Sequence, residues 1–271
     1  MLLQRILTAF VLIPLIIAGI IFLPPTYFST GVGVFILVGA WEWSALIGFK
    51  KISARWGYVL CILLGMLISI FLPQHFILGF TFIVWIWYAV AIVHYQHKGT
   101  GLGFQLPVVR WLVGLLILVS TWIAIVTLKT GSNLGTGWLI LTLLIIWGAD
   151  VGGYFGGRFF GMHALCSRVS PKKTWEGFVG GVILAVMVTV IGGVHFPLSF
   201  QQYSYLIFLT LITALFSVVG DLGVSMLKRM INVKDTGNIF PGHGGMLDRM
   251  DSVMSATVVF ALGLICNPSL F

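Results

Sequence analysis

Residues 225–251 read SMLKRMINVKDTGNIFPGHGGMLDRMD, the one long polar island in an otherwise apolar chain. Only seven Asp or Glu residues occur among 271, and Asp235, Asp248 and Asp251 fall inside this window, with Asp221 just before it. Lys228, Arg229, Lys234 and Arg249 join them, four of the fifteen Lys and Arg residues. The whole chain is 59% hydrophobic and 8% charged, with a mean hydropathy of +1.09. That composition excludes an ordinary soluble domain and points to an all-α polytopic membrane protein. The polar window is then the working part, and the apolar remainder is its membrane housing.

Working outward, apolar runs long enough to cross roughly 30 Å of hydrocarbon lie near 6–23, 31–47, 58–72, 76–93, 108–128, 137–150, 177–194, 205–220 and 252–266. This predicts about nine transmembrane helices, the third and sixth being the shortest. Turn signals separate them, at Pro24-Pro25, Gly48, Pro73, Gly99 to Gly103, Gly131 to Gly137 and Pro197. The first run is too long for the apolar region of a signal peptide and has no small-residue cleavage site, so it is expected to be retained as a span. With a cytoplasmic N-terminus and an outside C-terminus, Arg5, Lys50, Lys51, Arg55, Lys98, Arg110, the 158–173 loop and the 228–249 loop all face the cytoplasm. Only Lys129 is left outside, as the positive-inside rule requires. A net charge of +8 and a pI of about 9.6 therefore reflect cytoplasmic loops and affinity for anionic head groups or phosphates, not nucleic acid. Cys61, Cys166 and Cys266 suggest neither a disulfide framework nor a zinc site. Residues 1–130 read as an N-terminal multi-span region and 131–271 as a C-terminal membrane region carrying the motifs, within one integral unit and with no soluble domain. Size and the lack of targeting extensions suggest a bacterial inner membrane.

The first 150 residues contain two carboxylates, Glu42 and Asp150. Glu42, in AWEWSAL, is either a functional acid inside the membrane or an interfacial side chain that snorkels to water among tryptophans. The aromatic stretch FIVWIWYA at 82–89 reads as lipid-facing or interfacial packing.

Asp150 opens DVGGYFGGRFFG; in a helix it shares a face with Tyr154 and Arg158, as an ion pair or as part of a site, while Gly153, Gly157 and Gly161 form a seam for close helix packing that would also allow a homodimer. Residues 170–177 read SPKKTWEG. Ser170-Pro171 predicts a helix start, with Lys172 and Lys173 near an N-terminus that favours an anion. The glycines of a Walker A loop are missing, so this is not a P-loop. A helix continuing past Asp221 places Asp221, Ser225, Lys228 and Arg229 on one stripe. The turn PGHGG at 241–245 lets backbone N–H groups approach an anion, with His243 at its centre. The next helix carries Asp248, Asp251, Ser252 and Ser255 on one face. Carboxylates among cations can simply neutralise one another. Oxygen ligands without His or Cys partners also suit Mg²⁺ held by carboxylates and substrate phosphates. Lys and Arg beside such a metal argue for phosphoryl or nucleotidyl transfer at a membrane surface.

The 225–251 window resembles the signature of the phosphatidate cytidylyltransferases, or CDP-diacylglycerol synthases. The residues that carry it are Ser225, Lys228-Arg229, Lys234-Asp235, Pro241, His243-Gly244-Gly245, Asp248-Arg249 and Asp251, and Gly220-Asp221 and SPKKTWEG also look like family blocks. Val151, Gly153 and the segment 162–167 depart from the family pattern. The resemblance implies CTP and phosphatidate giving CDP-diacylglycerol and pyrophosphate, with Mg²⁺ required, alone or with a second metal ion. It implies Asp221, Asp248, Asp251 and Lys228 as catalytic residues, with Asp221 and Asp248 holding metal. Lys172, Lys173, Ser225, Arg229, Lys234, His243 and Arg249 would hold substrate phosphates, and Asp150, Arg158 and Glu176 would support the site. A CTP-dependent lipid kinase and a transporter of an anionic substrate are the alternatives.

Overall fold

A computed structural model describes residues 13–237, 239 and 244–270. Pro241 and His243 lie outside the described residues. Among those residues there are nine helices in the expected order. They are α1 (Ile13–Phe22), α2 (Pro25–Ile47), α3 (Ile52–Ser69), α4 (Gln74–Lys98), α5 (Pro107–Thr130), α6 (Gly135–Phe160), α7 (Trp175–Gly193), α8 (Phe200–Met230) and α9 (Leu247–Ile265). The seven from α2 to α8 are long and apolar enough to cross a membrane. In α9 the first two turns carry Asp248, Arg249 and Asp251, so its apolar part begins only after them.

Local chemistry sets the boundaries. Pro25 and Pro107 occupy the first turns of α2 and α5, where a missing N–H costs nothing. Gly48 and Gly99 end α2 and α4 in the left-handed region, with φ of 104° and 76°. A reciprocal capping box between Ser199 and Gln202 starts α8. At 31 residues, α8 is about 46 Å long at 1.5 Å per residue, well beyond roughly 30 Å of hydrocarbon. Its last turns therefore leave the apolar slab, and they carry Asp221, Ser225, Lys228 and Arg229 on the predicted helical extension.

The interior is built on α5, which packs on α2, α3, α4, α6 and α9, while α9 lies against α8, α5 and α4. Trp43, Trp85, Trp138, Tyr88 and Phe260 are fully buried there. Elements from residues 1–130 and from 131–271 thus share one core. The closest pair is α6 with α7. A Cβ at Gly152 would strike the Gly180 carbonyl, and one at Gly156 would crowd the Glu176 carbonyl and the Gly180 backbone. Of the expected seam, Gly153 and Gly157 lie against Gly177 of α7 and Gly161 against Thr174, so these glycines pack helices within the chain.

Two further expectations are corrected. The sixth span does not end at Asp150: α6 continues to Phe160. Nor does a helix begin at Ser170-Pro171. Ser170–Thr174 is a strand, β2, antiparallel to β1 (Ala164–Cys166), with Ala164 opposite Thr174 and Cys166 opposite Ser170. This hairpin is the sole sheet among the described residues. Proline is tolerated on the edge of so small a ribbon because its missing N–H need not join the ladder. The helix start falls at Trp175, where Thr174 accepts the Gly177 N–H at 3.1 Å as N-cap.

Candidate active site

Four elements and the hairpin converge on a cavity of about 370 Å³. Asp150 comes from α6, Lys172 and Lys173 from β2, Asp221 from α8, and Asp248, Arg249, Asp251 and Ser252 from α9. Helix α8 reaches α9 so closely because residue 220 is glycine: a Cβ there would overlap the Asp251 carbonyl and the Ser255 hydroxyl. The opposite wall is apolar, with Phe178 and Val182 from α7 and Ala214 and Val218 from α8.

Lys173 Nζ lies 2.6 Å from Asp221 Oδ2, and Lys228 Nζ lies 2.6 Å from Asp248 Oδ1. Asp150, Asp221 and Asp251 are near enough to feel one another's charge, and Lys173 acts on both Asp150 and Asp251. The Ser252 hydroxyl reaches Asp150, while Asp251 Oδ1 accepts the Ser252 N–H at 2.8 Å. The Ser225 hydroxyl is 3.4 Å from Asp221 Oδ1, a long contact. Asp248 is the most fully engaged carboxylate. Its Oδ2 accepts the Thr236 N–H at 2.9 Å, the Gly245 N–H at 3.0 Å and the Thr236 hydroxyl at 3.0 Å. Only Oδ1, beside Lys228, is left toward a ligand.

Several expected site residues fall elsewhere. Arg158 makes no ion pair with Asp150. Eight residues of helix separate them by about 12 Å along the axis, and Arg158 instead donates to the Tyr154 hydroxyl at 2.6 Å on an exposed face. Glu176 does not line the cavity: its carboxylate accepts the Met162 and His163 N–H groups at 3.1 and 3.2 Å and contacts His163 Nδ1 at 2.6 Å, so it secures the start of the hairpin. Arg229 donates to the Val169 carbonyl at 3.3 Å and fastens the hairpin turn to α8. Lys234 is exposed in the loop after α8.

Other residues that hold the site carried little signal. Gln96, near the end of α4, accepts the Arg168 N–H at 2.9 Å and the Cys166 thiol at 3.3 Å, and donates to Ser167 at 3.0 Å. Nothing in sequence marks one glutamine as the anchor of a hairpin seventy residues away. Thr236 follows Lys234-Asp235 within the quoted window, so its position was visible but its bonds were not. Glu42 does not snorkel to water. It is 2% exposed and bonded to the α9 N-terminus.

The arrangement can bind a polyphosphate. Cations stand beside each of the two carboxylates Asp221 and Asp248, further acidic oxygens are clustered next to them, and the apolar wall leads into the spans. The Cytidylyltransferase family matches residues 3–266. The chain belongs to that family. It is similar to the phosphatidate cytidylyltransferase of Pseudomonas aeruginosa, 36% identical over 265 residues and covering 96% of each protein. The enzyme of the same name from Haemophilus influenzae is 31% identical over 284 residues, covering 96% of this chain and 98% of that one. The Bacillus subtilis phosphatidate cytidylyltransferase is 38% identical over 150 residues, about half of either chain. Lys173, Asp221 and Asp248 line the cavity, and Lys228 pairs with Asp248 beside it.

Proposed function

We propose that this protein is an integral membrane nucleotidyltransferase that converts CTP and phosphatidate to CDP-diacylglycerol and pyrophosphate. The observation that carries the reading is the cavity itself, in which the polar blocks of a cytidylyltransferase family member meet against an apolar wall. A phosphate oxygen of phosphatidate attacks the α-phosphorus of CTP in line, and the bond to the β,γ-pyrophosphate breaks. Such transfer is catalysed by positioning and charge neutralisation. Lys172, Lys173 and Arg249 line the cavity and are placed to hold the triphosphate and the lipid phosphate. Lys228, paired with Asp248, adds a cation at the edge of the same region. Ser225 orients Asp221, and Arg229 and Lys234 add positive potential around the end of α8.

The oxygen donors are of the kind that suits Mg²⁺, although no three carboxylates form a close metal-ligand cluster among the described residues. Three of the carboxylates feel one another's charge, and two carboxylates already face an ammonium group. Asp221 and Asp248, which line the same cavity as Asp150 and Asp251, are the residues that would hold the ion. Bound there, Mg²⁺ would offset the charge that develops on the phosphates.

Phe178, Val182, Ala214 and Val218 allow the acyl chains of phosphatidate to remain among the spans while the head group enters the cavity. The one-sided distribution of Lys and Arg supports a cavity open to the cytoplasm, an N-terminus on that side and an outside C-terminus. The bacterial relatives support an inner-membrane location.

The test is conversion of CTP, labelled on cytidine or in a parallel assay on the γ-phosphate, by purified protein in detergent with phosphatidate and Mg²⁺. Cytidine label in the lipid fraction is expected from the parent and is lost in Asp221→Asn and Asp248→Asn. Transfer of the γ-phosphate alone would make the protein a lipid kinase. No transfer at all would return the transporter reading.

A further inference from the structure

Helix α9 has no N-cap side chain of its own, because Met246 occupies that position. Its first amides are satisfied instead from α2. Glu42 Oε1 accepts the Met246 N–H at 2.9 Å and Glu42 Oε2 accepts the Leu247 N–H at 2.8 Å. A carboxylate at this end of a helix is favoured by both the unpaired amides and the dipole. The backbone is moulded around it: a Cβ at Gly237 would overlap Glu42 Oε1, and one at Gly245 would overlap both Glu42 oxygens and the Thr236 hydroxyl.

Thr236 joins this carboxylate to the site. Its hydroxyl lies 2.8 Å from Glu42 Oε2 and 3.0 Å from Asp248 Oδ2. One hydroxyl hydrogen serves two carboxylates, so the three groups form a single network. The network occupies Asp248 Oδ2 and turns Oδ1 toward Lys228.

We propose that Glu42 is a positioning residue for cytidylyl transfer, acting through Thr236 to fix the orientation of Asp248. The role rests on the functional reading above. Glu42 touches no substrate; it sets the α9 N-terminus and the loop after α8 in the register that presents one oxygen of Asp248. This explains why a carboxylate is kept buried in α2, far in sequence from every other polar group of the site.

The experiment compares Glu42→Gln, Thr236→Val, Thr236→Ser and the double variant Glu42→Gln/Thr236→Val in the full-length enzyme. Losing a hydrogen bond to a charged group predicts about a ten- to hundredfold fall in kcat for each of Glu42→Gln and Thr236→Val. KM for CTP is expected to stay within about threefold, since substrate contacts are untouched. Thr236→Ser, which keeps the hydroxyl, should retain parent kcat. The double variant should be no worse than the weaker single one, as members of one network are not additive. Tryptic cleavage after the exposed Lys234 should quicken in Glu42→Gln and Thr236→Val but not in Thr236→Ser, a readout independent of turnover. Parent kcat in either Glu42→Gln or Thr236→Val overturns the proposal, as do losses that multiply or a Thr236→Ser as impaired as Thr236→Val. A parent that makes no cytidylated lipid overturns the functional reading, and the cleavage comparison then judges the tether alone, with unchanged rates overturning it.

Discussion

Lys173 Nζ on β2 stands 2.6 Å from Asp221 Oδ2 on α8, both side chains about a quarter exposed, and this contact closes the hairpin onto the cavity. Asp221→Asn should abolish label transfer from CTP to lipid. Lys173→Met should lower kcat/KM for CTP by about ten- to a hundredfold, the scale of one charge-assisted contact. Assay at equal concentrations of folded protein checks both, and an Asp221→Asn enzyme turning over at the parent rate would remove Asp221 from the site.

Lys228 and Asp248 form a more buried pair, with side-chain exposures of 10% and 8%. Lys228→Met leaves the Asp248 charge without its cation and should cost about 3 kcal/mol of stability. The double variant Lys228→Met/Asp248→Asn should recover part of that loss, because no unpaired charge remains and the amide oxygen can still accept the Thr236 and Gly245 N–H groups. Thermal midpoints in detergent measure the difference; a double variant less stable than Lys228→Met contradicts the pairing.

Chelation of divalent metal should stop turnover, and added Mg²⁺ should restore it. Asp221→Asn should raise the Mg²⁺ concentration needed for whatever activity survives. Turnover that persists in excess chelator would dissociate the acidic cluster from any metal role.

Gln96 is expected to protect Cys166, which is buried against it. Burial also pushes the Cys166 thiol up from its ordinary pKa, so thiolate is scarce at neutral pH. In a Cys61→Ser/Cys266→Ser background, adding Gln96→Ala should speed maleimide labelling of Cys166 by loosening the hairpin. Labelling should rise with pH in both proteins. Equal rates would mean that Gln96 does not anchor the hairpin.

Glycine substitutions should separate by location. Gly152→Ala forces a methyl group into the Gly180 carbonyl and is expected to cost about 1–3 kcal/mol, whereas Gly57→Ala on α3 meets nothing within 4 Å. Melting curves should show the first falling and the second unchanged or slightly raised, since alanine is the better helix former.

The order of the nine helices among the described residues, seven of them long and apolar enough to span, was legible from hydropathy and punctuation, because a span must be long, apolar and ended by Gly, Pro or charge. The continuation of α8 past Asp221, and the shared face of Asp248, Asp251 and Ser252, followed from helical periodicity alone. Ser170–Thr174 was misread because Ser-Pro signals a helix start in isolation, and nothing local shows that Ala164–Cys166 returns to pair with it. Arg158 was expected beside Asp150 from helical periodicity and Glu176 at the site from the family resemblance, but Arg158 bonds Tyr154 and Glu176 bonds Met162 and His163.

Sequence by itself determined the membrane class, the order of the helices and the identity of nearly every charged group in the cavity. With so few charges in an apolar chain, desolvation cost leaves them few places to be. Tertiary structure alone decided the pairings: Lys173 with Asp221, Lys228 with Asp248, and Glu42 with the start of α9. Those contacts join segments distant along the chain, and their reach is set by glycine-lined helix approaches at Gly152 and Gly220 rather than by any local preference.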